Sequence, residues 1–145
     1  MKRMSVGFIA IAALAVAVGL NAQQASKKSA DSHLGTWQLT SFKYGTNQPA
    51  LTDFPQSQRR IKLITQTHFT WVEFDADTKK VSGAAGGAYS LSGNDYTESI
   101  DFGFGMDRYL GEKHAFKIRV EGDKLSLSGS LADGLKIEEV WRRVR

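Results

Sequence analysis

Glu98 is the residue whose setting says most about the chemistry open to this chain. It lies in the run Tyr96-Thr97-Glu98-Ser99-Ile100-Asp101-Phe102, where alternation puts Tyr96, Glu98, Ile100, Phe102 and Phe104 on one side and Thr97, Ser99, Asp101 and Gly103 on the other. If the apolar side faces a core, a carboxylate goes in with it, and an unpaired ionised carboxylate there would cost several kcal/mol. Glu98 must then be protonated, paired with a cation, or hydrogen-bonded, for instance to Tyr89 or His68. It would either orient a ligand in an otherwise apolar cavity or belong to a structural network that holds strand register or sits at a wet barrel mouth. Phe69, Trp71, Tyr89, Tyr96 and Phe102 can build an aromatic wall beside it, and with Glu98 they are the candidate ligand-binding residues. Any one of these rings would serve equally well as core filling.

No other constellation stands out. The imidazoles are His33, His68 and His114; none belongs to a recognisable triad, and no His-x-His or His-Glu-x-x-His spacing suggests zinc. No Gly-x-Ser-x-Gly elbow is present. Asp75 with Asp77, and Asp101 with Asp107, read as solvated turn acids, and Gly103-x-Gly105 opens no helix that would cradle a phosphate. Cysteine is absent, which removes thiol nucleophiles, thiolate metal sites and disulfides. The sequence therefore assigns no catalytic residue, no metal ligand and no cofactor.

The elements that must position these side chains begin after a leader. Lys2 and Arg3, an apolar run from Val6 to Leu20, and Asn21-Ala22 have the three zones of a secretory signal peptide, residues 1–22, cleaved near Ala22. The competing reading is an uncleaved membrane anchor, the only contact with a membrane that the sequence suggests. Without a cysteine after the leader there is no lipidation site, so the expected location is periplasmic or secreted. Residues 23–33 read as a disordered polar spacer. The net charge of +4 falls to +2 once Lys2 and Arg3 are removed, and acids are interspersed with bases from residue 59 onward, which argues against a nucleic-acid partner.

From residue 34 the pattern is short strands separated by turns, with no sustained helical period. In Leu34-Gly35-Thr36-Trp37-Gln38-Leu39, Trp37 and Leu39 share a face. The long connection 45–57 is a candidate lid or portal, and its residues 51–55 would make one helical turn at most. Strands follow at 59–66, with Ile61, Leu63 and Thr65 on one face, and at 67–75, where Phe69, Trp71 and Glu73 compete with His68, Val72 and Phe74 for the inside. The strand at 81–92 carries Gly83-Ala84-Ala85-Gly86-Gly87-Ala88, either a bend where a barrel closes or a flexible loop before a shorter strand. Strands at 96–104, 114–121, 124–130 and 135–144 complete the set; Phe116, Ile118 and Val120 should face in, as should Leu125 and Leu127. Eight strands with mostly short loops predict an all-β, up-and-down antiparallel barrel over residues 34–145, with room for packed side chains or one small ligand.

Leu34-Gly35-Thr36-Trp37 near the start of this domain, with Glu139-Val140-Trp141-Arg142-Arg143-Val144 at its end, resembles the lipocalin-like (calycin) pattern of small secreted bacterial proteins. Ile61-Lys62-Leu63-Ile64-Thr65, His68-Phe69-Thr70-Trp71, Gly87-Ala88-Tyr89 and Tyr96-Thr97-Glu98 fit the same pattern. The resemblance implies that Trp37 crosses the barrel floor and that a basic residue near the chain's end stacks on it; Arg143 is the first choice and Arg142 the second. Trp37, Trp141 and Arg143 are accordingly the expected structural residues. The disulfides and long C-terminal helix of typical lipocalins are missing, and no particular ligand carries over.

The reading is an exported barrel that binds a small hydrophobic or amphipathic molecule. Its rivals are a protein–protein or inhibitor module with a filled barrel, working through the 45–57 loop, and an enzyme using Glu98 as acid or base beside a Tyr or His. A META-like small β fold is the alternative architecture. Oligomeric state is not encoded in any feature of the sequence.

Overall fold

In the computed structural model residues 31–145 are described. The expected leader and most of the spacer lie outside them.

Alternation and turn chemistry produce ten strands: β1 (Gly35–Tyr44), β2 (Thr52–Asp53), β3 (Gln58–Ile64), β4 (His68–Asp75), β5 (Val81–Ser92), β6 (Asp95–Ser99), β7 (Phe102–Phe104), β8 (Lys113–Glu121), β9 (Lys124–Ser130) and β10 (Lys136–Arg143). One 3₁₀ turn, Asp107–Tyr109, interrupts the strands. Of the ten, β7 pairs with β5 off the main path and β2 flanks β1 at the end of that path; the other eight form an antiparallel meander that closes when β10 returns to β1, from Trp37↔Arg143 to Tyr44↔Ile137. The protein is thus an all-β, eight-stranded antiparallel barrel. Among the described residues no helix is long and apolar enough to cross a membrane.

The core is the inside of the ring. Trp37, Leu39, Phe69, Tyr96, Ile118, Leu125, Leu127 and Trp141 are all buried there. On β4 it is Phe69, Trp71 and Glu73 that point inward, opposite Ile64, Lys62 and Arg60 of β3.

Several local expectations are corrected. Residues 51–55 form no helical turn; β2 lies against β1 instead, through Ser41↔Asp53 and Phe42↔Thr52. On β3 Ile61 and Leu63 do share a face, which turns outward, and the buried positions are Lys62 and Ile64. His33 is buried, and its Nε2 lies 2.9 Å from the Tyr89 hydroxyl.

The predicted strand 96–104 is two strands. Tyr89 of β5 pairs with Glu98, but Gly86 pairs with Phe102, so three steps along β5 are matched by four along the partner. The extra residue is a bulge at the β6–β7 junction, and with a period of two it sends every later side chain to the opposite face. Phe102 and Phe104 therefore lie outside, 54% and 60% exposed, whereas Ile100 remains inside. Asp101 accepts the Ala88 N–H at 3.0 Å and holds the junction against β5. The glycine run of β5 is continuous strand, and its glycines permit this close pairing: a Cβ on Gly87 would lie 2.0 Å from the Ser99 carbonyl oxygen.

Candidate functional site

One end of the barrel is closed by the residues that opened the strand pattern. The Arg143 guanidinium lies 4.1 Å from the centre of the Trp37 indole, and its Nη1 donates to the Leu34 carbonyl at 2.7 Å. Trp37 Nε1 donates to the His33 carbonyl at 2.8 Å. Gly35 has φ +128°, and a Cβ there would stand 2.7 Å from Arg143 Nη1, so glycine leaves the space that the guanidinium occupies.

The other end is hollow. A cavity of about 200 Å³ reaches into the barrel, with Trp71, Trp141, Phe116, Leu127 and Ile137 on its walls and Met106, Arg108, Leu131 and Leu135 from the connecting loops. That is small beside the several hundred Å³ of many ligand pockets, and it suits a molecule on the order of ten non-hydrogen atoms.

The cavity also contains charge. Lys62, 3% exposed, donates to Glu98 Oε1 at 2.5 Å; Glu98 is 4% exposed. The two come from β3 and β6, which are separated around the ring by β4 and β5, so the pair spans the lumen. The Lys62 ammonium is boxed by the rings of Phe69, Trp141 and Tyr96, with centroids 5.3, 5.4 and 5.9 Å away.

A second group is built around Arg60. Its Nε donates to Glu73 at 2.7 Å and its Nη1 to the Tyr44 hydroxyl at 2.5 Å, with Glu139 3.3 Å from Nη1. Tyr44 in turn donates to Glu139 Oε1 at 2.5 Å, and Trp141 Nε1 donates to the other Glu139 oxygen at 3.1 Å. Burial alone would lower the Arg60 pKa, but Tyr44, Glu139 and Glu73 hold it above its ordinary value. Burial and the neighbouring Glu139 push the Tyr44 phenol well up, so it stays protonated and serves as a donor.

His114 sits directly across from Glu98 in the β6–β8 register and is 1% exposed. Its Nδ1 accepts the Ala132 N–H at 3.0 Å, which places the proton of the neutral ring on Nε2. Burial lowers its pKa, with Glu98, Asp133 and Glu112 opposing. Nε2 has no hydrogen-bond partner, and the Tyr96 hydroxyl on the other flank of Glu98 makes no hydrogen bond of good geometry either. Burial raises the Tyr96 pKa, and Glu98 adds to the rise. Two buried donors thus flank one carboxylate.

The sequence profile of the lipocalin-like domain matches residues 34–127. The chain belongs to the lipocalin-like domain family. A lipocalin-like protein from Bacteroides uniformis has a similar structure, with a TM-score of 0.53 and 18% identity over 77% of this chain and 97% of that one. An uncharacterised protein from Bacteroides eggerthii is similar at a TM-score of 0.51 and 14% identity, over 77% and 98% of the two chains. At such identities the likeness concerns the fold alone. No curated protein matches the chain significantly.

Within this lipocalin-like barrel the six candidate ligand-binding residues part company. Trp71 and Glu98 line the cavity. Phe69 and Tyr96 are buried around Lys62 and do not line it. Tyr89 donates to the Thr65 carbonyl at 2.6 Å and meets His33, which belongs to the closed end, and Phe102 is outside because of the bulge. Of the structural set, Trp37 and Arg143 stack, whereas Trp141 forms part of the cavity wall. No residue of the 45–57 loop lines the cavity.

Sequence reasoning missed Tyr44, Arg60, Lys62, His114 and Glu139. The available signal was parity: Glu139 alternates with Ile137 and Trp141, and Lys62 with Ile64, all of them inward. Among the described residues no group of three His, Cys, Asp or Glu side chains could hold a metal ion.

Proposed function

We propose that this lipocalin-like protein is an exported binder of one small amphipathic molecule, held in the barrel cavity with its polar end toward Lys62 and Glu98. The observation that carries this reading is the cavity of about 200 Å³, apolar along much of its wall and charged in its interior. A barrel whose only task was to be stable would gain from filling that space, since each unfilled volume forfeits packing. The ion pair across the lumen is a similar sign, because a buried pair is seldom worth more than apolar side chains of like volume. Export rests on the leader pattern of residues 1–22.

Trp71 and Trp141 provide the readout. Titration with a panel of amphipathic compounds of about ten non-hydrogen atoms should shift tryptophan emission saturably for at least one of them and raise the melting temperature with ligand concentration. A flat response across the panel would oppose the reading and favour the interaction module.

A further inference from the structure

Resting on the reading of the cavity as a ligand site, we infer that its occupant is an uncharged molecule whose polar end is a hydrogen-bond acceptor, such as a carbonyl oxygen, that takes the Nε2–H of His114. Two observations carry this: the buried charges of the wall are already paired, and one donor of the wall has no acceptor.

The buried ions that line the cavity are Arg60 and Lys62 with Glu98 and Glu139, two of each sign. Lys62 donates to Glu98. Arg60 lies 3.3 Å from Glu139, and Glu73, which is not part of the wall, takes its Nε. Glu139 also accepts from the Tyr44 hydroxyl and the Trp141 indole. The remaining lining charge, Arg108, is exposed and stands 3.8 Å from Asp133, where water screens it. A charged ligand would give up its hydration without finding a free counter-ion, or would split an existing pair and strand one member of it. A neutral molecule meets neither cost.

What the wall lacks is an acceptor. Among the described residues two buried side-chain polar atoms make no hydrogen bond, the Tyr96 hydroxyl and His114 Nε2, and of these two residues only His114 lines the cavity. Its Nδ1 accepts the Ala132 N–H, so the neutral ring carries its proton on Nε2, and burial favours that neutral form. Tyr109, edge-on at 5.2 Å, and Phe116, stacked at 6.5 Å, hold the ring in place. A buried donor without an acceptor is costly, and a ligand oxygen at this point removes the cost. An ammonium has no acceptor to offer. A carboxylate accepts, but it would bring a second negative charge beside Glu98, which stands across from His114 in the β6–β8 register.

Three probes of one skeleton test this: acetophenone, 1-phenylethylammonium and benzoate, each a phenyl ring bearing one branched carbon. They are titrated into the purified protein at neutral pH and followed by NMR, through the indole N–H resonances of Trp71 and Trp141 and the imidazole nitrogen resonances of His114. Acetophenone should bind tightest, by about tenfold or more over either ion, and should move the His114 Nε2 resonance downfield as its oxygen accepts that proton. Equal affinities, or a tighter ion, overturn the inference of an uncharged occupant and leave the cavity standing as a binding site. Acetophenone bound with the His114 resonance unmoved overturns the assignment of the acceptor. No change at either indole with any of the three at millimolar concentration overturns the cavity reading together with the inference.

Discussion

At the scale of single residues, Lys62 and Glu98 behave as one unit, because each is buried and the other is its compensating charge. Lys62→Met should destabilise the fold by about 3–5 kcal/mol, since it strands a carboxylate in the lumen, whereas adding Glu98→Leu should recover most of that loss. Urea unfolding of the two variants measures the difference; a single variant within about 1 kcal/mol of wild type would mean that water reaches Glu98 freely. His114 adds a dependence on pH. Its pKa in the folded protein is below the ordinary 6.5, so the unfolded chain binds more protons in that window. The stability it confers is fully present above 6.5 and is lost as pH falls through the folded-state value. His114→Asn keeps an acceptor for the Ala132 N–H, so its melting temperature should fall less than that of wild type between about pH 7 and 5. An identical slope in the two proteins would assign the effect elsewhere. Glu98's need for a partner was legible in the sequence, but the partner was not. Lys62 sits next to Ile61 and Leu63, and in a strand flanked by apolar residues on its other face a lysine reads as solvent-facing until the carboxylates across the lumen are placed.

At the scale of elements, the number and order of the eight barrel strands and most inward faces were legible, because alternation and turn residues depend on the local chain. The β6–β7 bulge was not. Nothing in Ser99-Ile100-Asp101 announces an extra residue; it exists because β5 offers glycines that let Ser99 and Phe102 come close. Gly87→Ala should therefore act well beyond the ordinary effect of a strand glycine, since its Cβ would collide with the Ser99 carbonyl. We expect a loss of about 2 kcal/mol or more, from overpacking against backbone that cannot rotate away. A neutral result in thermal unfolding would show that β6 can slide. The Gly35-Thr36-Trp37 segment was legible as a pattern, and its physical content is the Arg143 stack. Trp37→Ala should cost about 3–5 kcal/mol, and a loss under about 1 kcal/mol would remove Trp37 from the role of floor.

At the scale of the whole molecule, the proposed binding belongs to the hollow end of a barrel that Trp37 and Arg143 close at the other. The sequence pointed there through Glu98 and Trp71, and missed the cations because their positions depend on strands far apart in the chain. Leu131 is among the loop residues that line the cavity. The most direct test is native mass spectrometry of the protein purified from producing cells, wild type beside Leu131→Trp, which narrows the cavity without touching the ion pairs. A small bound mass on the wild type that is lost from an equally stable Leu131→Trp protein is the predicted result. The same mass retained by both would contradict a ligand seated in this cavity.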